Sequence, residues 1–137
     1  MRKLIFLALL GLVMSFNFAS AQVKRKKIHD FVSVEKRPSY PGGIAKFYEY
    51  LGQNIKYPEV AKQNKTEGKV FLSFVVEEDG SLSDIEVTKS LSKETDAEAI
   101  RVFKASPKWN PGLIKGEPVS VKYNIAVSFA NPERGKG

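Results

Sequence analysis

The 137 residues carry a formal net charge of +7, with 42% apolar and 27% charged residues, no cysteine and a single histidine, His29. That balance belongs to a folded domain, and the length to one domain. Without cysteine there is no disulfide, no thiolate nucleophile and no thiolate metal site. With one histidine a zinc centre lacks its ligands, and a serine triad would have to use His29.

Residues 1–21 read as a secretory leader. Arg2 and Lys3 supply the positive start, Leu4 to Met14 the apolar run, and Ala19-Ser20-Ala21 the small-x-small pattern before a cleavage at Gln22. The competing reading is an uncleaved membrane anchor, which needs about 20 apolar residues. Residues 22–40 form a lead-in that opens on the basic run Lys24-Arg25-Lys26-Lys27. The run reads as a solvated arm, with no nucleic acid as partner and membrane contact only if the leader is retained. Phe31, Val32 and Val34 offer a short apolar patch for a minor strand.

Residues 41–130 read as the folded domain, and 131–137 as a tail. After Pro41-Gly42-Gly43, the apolar residues Ile44, Phe47, Tyr48 and Leu51 fall at i, i+3, i+4 and i+7, which predicts one face of a helix ending near Asn54. Tyr57-Pro58 opens a second, short helix with Pro58 as its first helical residue, and Asn64 is expected as its left-handed exit. Val70, Leu72, Phe74 and Val76 alternate along a strand from Gly68 to Glu78 that is apolar on both faces, so it belongs in the middle of a sheet. Asp79-Gly80 predicts a type I′ hairpin. The return strand turns Ile85 and Val87 one way, and Asp84 and Glu86 the other. Thr95-x-x-Glu98 reads as the capping box of the next helix, which buries Ala99, Ile100 and Phe103 and stops before Pro107. Trp109 anchors a turn. Val119 to Phe129 then alternates without a break.

This order predicts an α+β two-layer sandwich: a three-stranded antiparallel sheet in the order 2-1-3, with two main helices on one face. The last strand falls at an edge. Nothing within it blunts that edge except Lys122, so its free N–H and C=O groups can accept an added strand. Two occupants follow, a captured peptide or a second copy of the chain.

No cluster reads as enzymatic. Glu77-Glu78-Asp79 lacks the spacing of a calcium loop, and Pro41-Gly42-Gly43 is too short for a phosphate cradle. No cofactor is implied.

The ordered set of Pro41-Gly42-Gly43, Ile55-Lys56-Tyr57-Pro58, Glu67-Gly68-Lys69-Val70, Phe74-Val75-Val76, Asp79-Gly80-Ser81 and Lys108-Trp109-Asn110-Pro111-Gly112 resembles the TonB carboxy-terminal domain family. The resemblance spans about residues 40–129. It implies a periplasmic module that engages outer-membrane receptors through a short peptide, the TonB box, added beside the final strand. The carry-over falls on the backbone of Val119, Ser120, Val121, Lys122, Tyr123, Asn124, Ile125, Ala126 and Val127. A full-length family member has an uncleaved inner-membrane helix and a long Pro-rich spacer, whereas here only residues 22–40 separate the leader from the domain. The reading is therefore a periplasmic binding module in TonB-dependent transport, with a self-pairing dimer through the last strand as a further partner. Its competitors are a membrane-anchored energy transducer, if the leader is uncleaved, and, from a different class, a small secreted hydrolase using carboxylates such as Glu77 or Asp84.

Overall fold

Apolar side chains repeating at helical spacing in two segments and at alternate positions in three others sort the chain into layers before any contact is considered. The structure is a computed structural model, and it describes residues 27–130. The leader, most of the basic run and the tail lie outside those residues. In chain order the elements are β1 (Ile28–Asp30), α1 (Ile44–Asn54), α2 (Glu59–Gln63), β2 (Gly68–Val76), β3 (Leu82–Lys89), α3 (Lys93–Lys104), β4 (Gly112–Ile114) and β5 (Glu117–Phe129).

The expected order of the three long strands holds: β2 lies between β3 and β5 and is antiparallel to both. The expectation of a sheet with only three strands does not. The sheet is five-stranded and mixed, ordered β1-β5-β2-β3, with β4 paired to β5. Two segments account for the difference. The lead-in folds back, so that Ile28–Asp30 runs parallel to Ser120–Lys122 while the bridges Lys36–Leu113 and Ser39–Asn110 hold the rest of it down. Folding back buries Val34 and sets the Phe31 ring edge-on to Tyr123, with centroids 4.8 Å apart. The minor strand is thus Ile28–Asp30; of the expected patch, Phe31 and Val34 pack by their side chains instead, and Val32 stays exposed. The second addition is a tight hairpin. Ile114 pairs with Glu117 across Lys115-Gly116, both at positive φ (53° and 77°), as a two-residue hairpin requires.

One face of the sheet carries α1 and α3. Val70, Leu72, Phe74 and Val76 of β2 meet Phe47 and Leu51 of α1 and Ala99, Val102 and Phe103 of α3 in one core. Aromatic rings dominate it: Phe74 contacts Phe103, Trp109 and Tyr123 at centroid distances of 5.3, 5.5 and 5.4 Å, geometry that adds to plain burial. The Tyr50 hydroxyl donates to the Val102 carbonyl (2.9 Å), tying α1 to α3.

Three local expectations shift. The β2–β3 loop has positive φ at Gly80 alone, and Gly80 N–H donates to Glu77 C=O (2.9 Å). This is a longer turn with a left-handed glycine, not the I′ form, which needs φ > 0 at both centres. At the exit of α2 the left-handed residue is Lys65, while Asn64 has φ −84°; at its entry Pro58 is the cap, outside the first helical turn. The box that opens α3 is Ser92 with Thr95: Ser92 Oγ accepts from Thr95 N–H (3.2 Å), and Thr95 Oγ1 accepts from Ser92 N–H (3.1 Å). Glu98 lies one turn in and is used elsewhere. Ser92→Ala removes the side-chain half of this cap, and a loss of about 1 kcal/mol is expected, read as a lower urea midpoint at unchanged slope.

Candidate functional site: the open half of β5

Which edge each backbone group of β5 faces follows from register. On β2, Glu77 N–H donates to Ser81 C=O (2.8 Å), and Phe71 C=O accepts from Thr88 Oγ1 (3.2 Å), both on the side of β3. Adjacent strand residues turn their N–H and C=O to opposite edges, so Gly68, Val70, Leu72, Phe74 and Val76 turn to β5. The β2–β5 register runs through nine pairs without a shift, and the irregularities of the sheet lie in the β2–β3 pairing. Hence Val121, Tyr123, Ile125, Val127 and Phe129 give their backbone groups to β2. Ser120, Lys122, Asn124, Ala126 and Ser128 turn theirs outward.

The nine residues expected to bind peptide therefore divide. Val119 is paired with Gly112 of β4, and Ser120, Val121 and Lys122 lie alongside β1. The expectation of one continuous open edge from Val119 is corrected there: Val119 turns its backbone groups to the β2 side, where β4 pairs with it beyond the end of β2, and the lead-in covers the outer edge at Ser120–Lys122, a bare edge being a pairing hazard that chains tend to cover. Beyond Lys122 the covering stops. Ser33 N–H and Oγ both donate to Asp30 C=O (3.1 and 2.9 Å), a turn that carries the lead-in off the edge. From Tyr123 to Phe129 no strand pairs with the outer side of β5 among the described residues. The backbone groups of Asn124, Ala126 and Ser128 face outward there.

Side chains take the other alternation. Val121, Ile125, Val127 and Phe129 are buried on the helix side, while Lys122, Asn124 and Ser128 are exposed on the opposite face. Beside the open half lies a groove of about 350 Å³ between α1 and the end of β5, with Tyr48, Leu51, Gly52, Ile55, Tyr57 and Phe129 among its lining. Reading the sequence for the strand alone missed these residues. Tyr48 and Ile44, placed on the buried stripe by their spacing, are 48% and 43% exposed, and only Phe47 and Leu51 reach the core. The available signal was a glycine, Gly52, in a helix whose apolar stripe is wider than the core needs.

The groove is held from behind. Arg101 of α3 donates to Glu98 (2.6 and 2.8 Å) and to the Asn54 carbonyl (2.9 Å), and Glu98 also accepts from Lys56 N–H, fixing the exit of α1. The hydrogen bond from Arg101 is the main reason the Glu98 carboxyl titrates below its ordinary range, although partial burial opposes it. The Tyr57 hydroxyl donates to the Thr66 carbonyl. Burial, then the nearby Glu67, pushes the Tyr57 phenol up; burial, then Tyr48, raises Tyr123 against the opposing pull of Arg37. Both phenols stay neutral well above physiological pH.

The carboxylates of the hydrolase reading lie on other surfaces. Glu77 accepts from Ser83 Oγ (2.6 Å) and Ser120 Oγ (3.1 Å), joining β3 to β5. Asp84 and Glu86 line a smaller hollow of about 200 Å³ with Lys122 and Ile28. Among the described residues no group of three acidic or histidine side chains is placed to hold a metal, and no helix is long and apolar enough to cross a membrane.

The family model for the C-terminal region of the Gram-negative bacterial TonB protein matches residues 53–130, from the last turn of α1 through β5. The chain belongs to the TonB C-terminal family. Two NMR solution structures of the Helicobacter pylori TonB C-terminal domain, a shorter and a longer fragment, are similar to it. They show 29% and 27% identity over 62% and 63% of this chain and 91% and 79% of theirs, with TM-scores of 0.45 and 0.44. No curated protein matches the chain. Membership implies a TonB-like role in TonB-dependent transport; the family is one of interaction modules of the Gram-negative envelope that engage outer-membrane receptors.

Proposed function

We propose that this TonB C-terminal domain works in the periplasm by capturing an extended segment of an outer-membrane receptor as an added strand along the open half of β5. The supporting observation is the run of outward N–H and C=O groups at Asn124, Ala126 and Ser128, left uncovered where β1 turns away and bordered by an apolar groove. Main-chain pairing supplies affinity with little demand on side chains, and the groove supplies preference. The part of the earlier site assignment that this reading keeps is Tyr123 to Val127, extended to Ser128. Val119 to Lys122 become the supports of β4 and β1.

A proline tests the reading directly. It removes one N–H and places its ring where the added strand must lie. Asn124→Pro and Ala126→Pro are each expected to keep the far-ultraviolet spectrum and melting of the parent domain, and to lose retention of an immobilised receptor segment by at least about tenfold, the factor that corresponds to 1.4 kcal/mol. Unchanged retention by both folded variants refutes strand addition at this edge. Self-association of the parent in sedimentation that both proline variants lose, with no retention of the segment by the parent, would assign the edge to a second copy of the chain.

A further inference from the structure

We propose that the groove beside the open edge is the side-chain subsite for the same docked strand, and that Gly52 sets the size of the residue it accepts, a bulky apolar one. This rests on strand addition at β5 and adds to it a position of specificity.

Continuity identifies the occupant. One wall of the groove is Val127 to Ala130, the end of the open strand, and the other is α1. Whatever fills it also lies against Ser128, whose backbone groups turn outward next to those of Ala126 along the open edge. An extended strand satisfies both: its backbone pairs with the edge while every second side chain turns to the helix layer, the side on which Val127 and Phe129 already lie. Chemistry selects the residue. None of the nine lining residues carries a charge, so a charged side chain placed there would be stripped of water without a partner. The volume, about 350 Å³, is at the small end of ligand-sized hollows, room for one or two side chains.

Gly52 is the feature with no internal explanation. It lies within α1 at a helical φ, where glycine weakens the helix relative to alanine. No atom lies within 4 Å of the Cβ that a larger residue would add. Packing therefore does not require glycine, and at this exposed lining position a larger side chain would take up space that the glycine leaves open. Tyr48, one turn earlier on the same helix, keeps half its surface in water at the rim, apolar area that a docked side chain would cover.

The probe is a set of labelled heptapeptides, Thr-Val-Thr-X-Thr-Val-Thr, with X as alanine, leucine, phenylalanine, aspartate or lysine. They are titrated into the full parent chain and its Gly52→Ala, Gly52→Phe and Ala126→Pro variants, each checked by thermal melting. Leucine or phenylalanine at X is expected to bind the parent about tenfold more tightly than alanine, as burial of one large apolar side chain implies, and aspartate or lysine more weakly. Gly52→Phe should abolish the advantage of leucine, and Gly52→Ala should retain most of it. If Gly52→Phe does not fold, Gly52→Leu serves in its place, and attenuation of the Ser128 and Ala130 amide signals on binding reads the same subsite. A flat ranking at X, or an undiminished advantage in Gly52→Phe, overturns the subsite; if Ala126→Pro still loses binding, strand addition survives. No binding by the parent, or equal binding by Ala126→Pro, overturns both.

Discussion

Tyr123→Pro is expected to unfold the domain, whereas Asn124→Pro, one residue on, leaves it folded. The N–H of Tyr123 belongs to the β2–β5 ladder, paired with Phe74 at the centre of the sheet; that of Asn124 points the other way. Proline inside a central pairing removes a ladder bond and forces its ring against the neighbouring strand, at a cost of about 3 kcal/mol or more. The Tyr123 ring is lost as well, and it contacts Phe74, Trp109 and Phe31 at 5.4, 5.4 and 4.8 Å. Tyr123→Ala separates the two contributions, because it deletes the ring and keeps the N–H. The proline variant should be about 3 kcal/mol less stable than the alanine variant by urea denaturation. If it is as stable as Tyr123→Ala, or if Asn124→Pro is the one that unfolds, the alternation assigned to β5 is inverted, and the edge described here faces β2.

Gly80→Ala is the second substitution expected to be severe. Gly80 has φ +86°, and a Cβ there would lie 2.0 Å from the Trp109 carbonyl oxygen. The contact is backbone against backbone, so no side-chain rotation relieves it. Gly80 also accepts from Trp109 N–H (2.8 Å), and Trp109 is buried among Phe47, Phe74 and Tyr123. Moving the loop therefore moves the anchor of the aromatic core. The strain of a left-handed residue, about 1–3 kcal/mol, and overpacking of similar size predict a total of about 2–6 kcal/mol. For a domain of this size that is a fall in Tm of at least about 10 °C by calorimetry. A fall of less than about 2 °C would show that the Trp109 loop yields freely. Gly116, also at positive φ, has no atom near its missing Cβ, so Gly116→Ala should cost the backbone strain alone and serves as the control.

Both substitutions bear on how the site is built. The outward half of β5 is held by its inward half: nine pairs to β2 without a shift on one edge, and the buried side chains of Val121, Ile125, Val127 and Phe129 below. That rigidity presents Asn124, Ala126 and Ser128 at the spacing a partner strand requires, and the ordering entropy then falls mostly on the partner. β1 limits the site at its other end. It occupies Ser120–Lys122 and turns off at Ser33, and Phe31 closes with Tyr123 and Asn124 around a notch of about 210 Å³ where the free edge begins.

The sequence by itself determined the parts governed by local period. Alternation placed β2, β3 and β5 and put β2 in the middle, because only a central strand is apolar on both faces. Helical spacing placed α1 and α3, and the family resemblance carried by the motifs from Pro41-Gly42-Gly43 to Pro111-Gly112 agrees with the family that matches residues 53–130. Tertiary structure alone decided which stretch of edge is covered. Ile28-His29-Asp30 carries no strand period of its own; it becomes β1 because the chain returning over Val34 and Pro38 lays it beside Ser120–Lys122. The same holds for Tyr48 and Gly52, which sequence spacing assigns to a helix face but not to a groove. A residue's period fixes the side of its own element, whereas exposure depends on what a distant segment leaves uncovered, and that is settled only when all the elements have packed.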